Sequence, residues 1–380
     1  MKIMIVTGEA SGDLHGANLV RALQSRSSEL TFCGMGGSEL KALGVEILYD
    51  AAKVSVVGIV EVAGCLGHIF SAQAILKKRM AEDRPDLLIL IDLPDFNLML
   101  AKKAKKLSIP VFYYIPPQVW AWRTGRTRVI RERTDKVGVI LPFEESFYNK
   151  NGVDARYVGH PLLDSVKVSL TREEFYKKYA IPPEKTCIGL LPGSRRQEVK
   201  SLLPVFLEAA KIITENRRKN PPVFLLPLAT TLSEIDLLDA GLDQYRTVLD
   251  IKVIGDDSYN LMNACEAVVA ASGTVTLELA ILTVPMVVVY RLSKITYMLA
   301  KLLVKLEHFS LVNLIAGEKV VPELLQDEVK AEVIAKELLS LSGNSEAREK
   351  ILHSLQEVKE KLGDAGASEN AADLAFELLS

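Results

Sequence analysis

Short runs of aliphatic and β-branched residues alternate with longer amphipathic stretches along the chain. IMIVTG, TFCGMG, LLILIDL, PVFYYI, KVGVIL and ARYVG read as strands in the first 160 residues, and CIGLLPGS, PVFLLPL, IKVIG, AVVAASG and PMVVVY read as strands after them. Helical periodicity fills the intervals, as at Asn18 to Ser25, Phe70 to Glu82 and Glu198 to Asn216. Continuous apolar strands alternating with helices are the mark of parallel sheets covered on both faces. Two such series predict two doubly wound α/β domains. The pattern breaks at 161 to 186, where polar and charged residues and Pro182-Pro183 intervene. The expected division is 1–165, 166–345 and a helical tail over 346–380. From Asp327 onward the strands stop, and the last helix is expected at Ser368 to Leu379. No repeat at fixed period and no low-complexity tract is visible.

In doubly wound domains ligands sit beyond the carboxyl ends of the strands, where loops and helix N-termini converge. The chemistry is therefore sought in the loop after each strand. In LLPGSRRQE, residues 190 to 198, a strand meets a Gly-Ser turn and then a helix. A helix N-terminus suits phosphate, and Arg195 and Arg196 add guanidinium donors. A capped helix with a solvated arginine pair is the bland alternative. ASGTVTLELA, residues 271 to 280, repeats the arrangement through Ser272, Gly273 and Thr274. Glu278 follows one turn into the helix, on the same face as Thr274, where it can accept hydrogen bonds from ribose hydroxyls. Two Gly-Ser turns in one domain favour a nucleotide site, and the absence of G-x-G-x-x-G and Walker patterns disfavours a dinucleotide or a hydrolysed triphosphate.

In the first domain, LLILIDLPDFN, residues 87 to 97, ends a buried strand with Asp92 and then Asp95. A carboxylate there is desolvated, which raises its pKa towards that of a general base for a hydroxyl. Asp95 fits helix capping instead. GEASGD, residues 8 to 13, resembles a phosphate-binding turn but carries Glu9 and Asp13, which repel phosphate. YIPPQVWAWRTGRTRVIRER, residues 114 to 133, holds both tryptophans and five arginines. Trp120, Trp122 and Arg123 suit a sugar face, an anionic group or a lipid headgroup. The later arginines read as a solvated helix face.

Composition narrows the class. Hydrophobic residues are 49% and charged residues 25%, a soluble globular balance, and 46 basic against 48 acidic residues give no pull towards nucleic acid. The four cysteines, Cys33, Cys65, Cys187 and Cys265, lie far apart, which fits a reducing compartment and neither a disulfide frame nor a zinc site. Met1 runs straight into a strand, so no leader is expected. Val62 to Leu76 is free of Lys, Arg, Asp and Glu for 15 residues, shorter than the roughly 20 of a spanning helix. The apolar segment 55 to 80, which ends in Lys77, Lys78 and Arg79, and the basic amphipathic segment 291 to 306 could both touch an anionic membrane. A core helix with solvated lysines is the plainer reading of either.

Taken together, GEASGD at 8 to 13, VGIVEV at 57 to 62, IDLPDFN at 91 to 97, PPQVWAWR at 116 to 123, LPFE at 141 to 144, VGHPLLD at 158 to 164, LPGSR at 191 to 195 and ASGTVTLE at 271 to 278 resemble the lipid-A-disaccharide synthase family over nearly the whole chain. The block 290 to 326, with SLVNLIAG, extends the likeness. The resemblance implies a GT-B glycosyltransferase: two Rossmann-like domains with an interdomain cleft and a tail crossing back to the first domain. It implies transfer from UDP-2,3-diacylglucosamine to 2,3-diacylglucosamine 1-phosphate, with inversion, a β-1′,6 bond and release of UDP. It implies no cofactor and no metal, and a cytoplasmic enzyme held peripherally on the inner membrane. A homodimer is a further expectation.

On this resemblance Asp92 is the general base, with Glu9 the second candidate, and Arg195 stabilises the leaving diphosphate. Gly193, Ser194, Ser272, Gly273, Thr274, Glu278 and Asn313 are expected on the donor. Ser11, Gly12, Asp13, Trp122 and Arg123 are expected on the acceptor, whose hydroxyls tolerate the acidic GEASGD loop. Val57, Ile59, Val62, Leu66, Ile69 and Phe70 are expected at the membrane. His15, Cys65 and His68 inherit no role. The rivals are a UDP-N-acetylglucosamine 2-epimerase-like enzyme on a soluble substrate and a nucleotide-sugar-binding membrane scaffold without turnover.

Overall fold

β1 (Lys2–Val6) is buried at every position but its first, and its side chains alternate between two apolar layers. Ile3 and Ile5 join one core cluster, and Met4 and Val6 the other. β4 (Leu87–Ile91) and β5 (Val111–Tyr114) divide in the same way, so the continuous apolar runs of the sequence follow from burial on both faces. The computed structural model describes residues 1–54, 62–122, 124–292, 297, 307–343 and 345–379, without the side chains of 62–65 and 122. The chain forms two compact units, Met1–Asp164 with Asp364–Ser380, and Ser165–Gly363.

In the first unit β1, β4 and β5 are joined by β2 (Thr31–Gly36), β3 (Glu46–Asp50), β6 (Lys136–Val139) and β7 (Ala155–Tyr157) in one parallel sheet of order β3-β2-β1-β4-β5-β6-β7. β3 was not anticipated from the hydrophobic pattern: it is an edge strand whose positions are all exposed or half-buried, so burial leaves little trace in its sequence. Leu19 and Leu23 of the helix Ala10–Arg26 and Ala371, Leu374 and Ala375 of the helix Ala367–Phe376 cover one face. Leu76 and Met80 of Val62–Asp83 and Leu100, Ala101 and Ala104 of Pro94–Lys106 cover the other. The last helix is thus part of the first unit's core, and Asn370 Nδ2 donates to the Val158 carbonyl at 3.0 Å.

The second unit orders its parallel sheet β10-β9-β8-β11-β12-β13, from β8 (Cys187–Leu191), β9 (Val223–Leu228), β10 (Ile251–Gly255), β11 (Ala267–Ala271), β12 (Met286–Tyr290) and β13 (Glu323–Leu325). β13, three residues at an edge, is also absent from the sequence expectation. The helix Glu346–Leu362, within the expected tail, belongs to this unit. In both sheets the strand order reverses beside the first strand, between β1 and β4 and between β8 and β11. Those two points are where loops diverge and leave room for a ligand.

Candidate active site

At the reversal point of the first unit, GEASGD leaves β1 and IDLPDFN leaves β4, and the two loops interlock. A Cβ on Gly8 would fall 2.0 Å from Leu93 Cγ, and one on Gly12 would fall 3.1 Å from Asp92 Oδ2. The glycines admit a neighbouring loop, not a phosphate. Asp92 and Leu93 both lie in the left-handed region, with φ of 52° and 41°. The Asp92 carbonyl accepts hydrogen bonds from Tyr113 Oη and Asn97 Nδ2, each at 2.7 Å. No described residue bonds or ion-pairs the Asp92 carboxylate, which is half-buried. Burial, and then the negative charge of Glu9, push its pKa up to about 6.

The neighbouring acids differ. Glu9 is exposed at the N-cap of Ala10–Arg26 and makes no side-chain cap bond. Asp13 is buried and spent: Oδ1 accepts from Gly37 N at 2.7 Å and Oδ2 from Glu39 N at 2.9 Å, where they cap the helix Ser38–Ala42. Each oxygen accepts one backbone N–H, so Asp13 braces the loop at Gly37. Asp95 is not a cap: it is exposed and accepts from Arg126 Nη2 at 2.6 Å. Ser11 is exposed and Gly12 buried. Trp120 donates Nε1–H to Glu144 Oε1 at 2.8 Å and packs edge-on against Phe143, which anchors the PPQVWAWR loop. Burial pushes Glu144 up to about 7.

At the reversal point of the second unit a pocket of about 400 Å³ opens between the loops after β8 and β11. Gly193, Ser194 and Arg195 form one wall, and Ser272, Gly273, Thr274 and Glu278 another. Gly193 has a φ of 106°, which favours glycine, and a Cβ there would also press on Glu198, 2.3 Å from its Oε2 and 3.0 Å from its Cβ. Arg195 is exposed, with Nη1 3.5 Å from Glu198 Oε1. Arg196 turns away to Asp236 at 3.0 Å. Burial pushes Glu278 up to about 7. Asn313 does not line this pocket. It is fully buried, and its Oδ1 accepts from Val320 N and Val321 N at 2.9 and 3.0 Å while Nδ2 donates to the Val321 carbonyl at 3.1 Å. Its amide braces the backbone at Val320 and Val321.

A profile of the lipid-A-disaccharide synthetase family (LpxB) matches residues 3–376. The chain belongs to the lipid-A-disaccharide synthase family. The synthase of Geobacter metallireducens is 45% identical over 379 residues, covering 100% of this chain and 97% of that one. The synthase of Syntrophus aciditrophicus is 47% identical, covering 99% and 97%. Among solved structures, a putative UDP-N-acetylglucosamine 2-epimerase from Listeria monocytogenes is similar with a TM-score of 0.65 at 14% identity, covering 99% of this chain and 94% of that one. MurG of Acinetobacter baumannii is similar with a TM-score of 0.62 at 14% identity, covering 99% of each. These likenesses identify the two parallel-sheet domains as the GT-B fold, and the family makes the protein a glycosyltransferase of lipid A biosynthesis.

Most of the residues expected from the sequence gather on two sets of loops. Asp92, Glu9, Ser11 and Gly12 gather at one reversal point, and Gly193, Ser194, Arg195, Ser272, Gly273, Thr274 and Glu278 at the other. Asn97 and Tyr113 were missed as partners of Asp92. Asn97 closes the quoted IDLPDFN, but Tyr113 sits in a strand run where nothing local marks it. Arg123, Val57 and Ile59 lie outside the described residues, as do the side chains of Trp122 and Val62 and nearly all of the segment 291 to 306. On Val62–Asp83, Leu66 and Phe70 are 45% and 67% exposed, whereas Ile69 packs onto the core and leaves the expected surface set. His68 Nδ1 lies 2.8 Å from Tyr49 Oη. No helix of the described residues is long and apolar enough to cross a membrane.

Proposed function

We propose that this glycosyltransferase joins UDP-2,3-diacylglucosamine to 2,3-diacylglucosamine 1-phosphate with inversion, releasing UDP. The observation that carries the reading is Asp92: a carboxylate with no partner among the described residues, at a strand-order reversal, with its pKa raised to about 6. Such a group is ionised near neutrality yet basic enough to accept a hydroxyl proton. In the reaction Asp92 takes the proton of the acceptor 6-hydroxyl as that oxygen attacks the anomeric carbon from the face opposite UDP. The new C–O bond forms as the bond to the diphosphate breaks, and the electron pair leaves with UDP. The Asp92 proton then passes to water.

Arg195 receives the charge developing on the leaving diphosphate, aided by the turns at Gly193-Ser194 and Ser272-Gly273-Thr274. Glu278 accepts from the ribose hydroxyls, and the pocket of about 400 Å³ is of nucleotide size. Glu9 raises the basicity of Asp92 and stands in reach as the alternative base. Ser11, Gly12, Trp122 and Arg123 serve the acceptor.

The acyl chains must come from a bilayer, and exposed Leu66 and Phe70, one helical turn apart, offer an apolar contact with the inner face of the cytoplasmic membrane. A homodimer is the expected assembly, and light scattering of the purified protein tests it. The deciding experiment incubates the protein in detergent micelles with both substrates and EDTA. Disaccharide 1-phosphate and UDP appearing in equal amounts support the reading and its independence of metal. UDP without disaccharide would refute the acceptor.

A further inference from the structure

Asp92 and Leu93 occupy consecutive left-handed conformations, which disfavour residues with a Cβ. Such conformations persist only where the surroundings over-determine them, and they gather where a side chain must be aimed. Three constraints converge on this pair. Tyr113, fully buried in β5, donates its hydroxyl proton to the Asp92 carbonyl at 2.7 Å. Asn97, also fully buried, spends both amide hydrogens on successive carbonyls, those of Ile91 at 3.0 Å and Asp92 at 2.7 Å. The Leu93 side chain is seated on the bare Cα of Gly8, where any Cβ would overlap it.

We propose that Tyr113, Asn97 and the Gly8–Leu93 contact form a positioning clamp that holds the backbone of Asp92 in its left-handed turn and so aims the carboxylate over Gly12. This rests on the reading of Asp92 as the base. The clamp grips only main chain and Leu93; it leaves the carboxylate itself without a described partner, as a base requires. Asn97 Oδ1 and Gln73 Oε1 are buried with no hydrogen-bond partner among the described residues, and Gln73 Nε2 donates to the Phe96 carbonyl at 2.8 Å. Leaving amide oxygens unpaired is unfavourable. Asn97 bears that cost so that both of its hydrogens point at the β4–Asp92 carbonyls.

Tyr113→Phe is the first test, because Asn97 keeps the Asp92 carbonyl paired and the ring still fills its place. The clamp predicts a kcat lower by about tenfold or more, since small misplacements of a reacting group are costly. UDP affinity, a property of the other unit's pocket, should stay within about twofold. The acidic limb of the kcat/KM profile should fall from about 6 towards ordinary carboxylate values, because a loosened Asp92 reaches water. An unchanged kcat and an unmoved limb would overturn the clamp.

Gly8→Ala with and without Leu93→Ala decides the matter independently, including where Tyr113→Phe fails to fold. The single variant should lose turnover, and the double variant should regain part of it because the overlapping atoms are gone. No recovery in a folded double variant overturns the inference. Asp92→Asn separates the two readings. If it retains turnover, the base assignment falls and the clamp with it. If it is inactive while Tyr113→Phe is silent, only the clamp falls.

Discussion

Replacing Asp92 with Asn should make the enzyme nearly inactive and, at alkaline pH, more stable. The native carboxyl has a pKa raised from 3.8 to about 6, chiefly by burial and secondarily by Glu9. In the unfolded chain it ionises near 3.8, so between pH 4 and 6 the unfolded state sheds a proton that the folded state keeps. Folding stability therefore falls as pH rises through this window, and the full penalty is present above about 6. A shift of about two units corresponds to about 3 kcal/mol. Asp92 is only half-buried, and solvent screening reduces the expected gain in Asp92→Asn to about 1 kcal/mol. The amide carries no charge at any of these pH values. The gain should thus appear in urea melts at pH 8 and all but vanish at pH 3, where the native residue is mostly protonated in both states. Turnover should fall by about 10²–10⁴, the range of a lost general base. A variant that is less stable than the parent at pH 8 would show that the carboxylate is held by favourable partners, and the reasoning from desolvation would fail. Retained turnover would refute its role as base.

Other outcomes follow from the same structure. Asn313→Ala removes a fully buried amide that pairs the N–H groups of half-buried Val320 and buried Val321 and the Val321 carbonyl, and should lower stability by about 2 kcal/mol in denaturant unfolding, whereas a folded, equally stable variant with a raised donor KM would put Asn313 at the donor site. Burial holds the Glu278 carboxyl near 7, so UDP affinity measured by calorimetry should rise as pH climbs from 6 to 8, with Glu278→Gln flattening the profile; a profile unaltered by the variant would exclude Glu278 as the titrating group. Replacing Leu66 and Phe70 by Ser removes two exposed apolar side chains from one helix face and should weaken sedimentation with anionic vesicles several-fold while leaving the melting temperature within about 2 °C; unchanged sedimentation would put the membrane contact elsewhere.

Periodicity and loop composition carried the sequence reading a long way. Strands buried on both faces are written as unbroken apolar runs, so most strands, both parallel sheets and the loops that follow them were legible. The loops after those strands stand out in the sequence because glycines, arginines and carboxylates at strand ends are the residue types that ligands call for. The edge strands β3 and β13 were not legible, because half-exposed or three-residue strands leave no burial pattern.

Roles within the loops depended on what each side chain meets across the fold. Asp13 and Asp92 look alike in sequence, each a carboxylate in a loop after a strand. Only the tertiary structure gives the first two backbone N–H partners from another segment and leaves the second without one among the described residues. The buried amide of Asn313 pairs with the backbone of Val320 and Val321, seven and eight residues on, which nothing in its own segment announces. Tyr113, unremarkable in its strand, reaches the Asp92 carbonyl 21 residues away. The sequence by itself determined the pattern of burial and the chemical inventory of each loop, because these depend on residue type and spacing. Which carboxylate stays free, and which glycine makes room for it, was decided by packing between segments distant in the chain, because desolvation and hydrogen-bond satisfaction are set by neighbours in space.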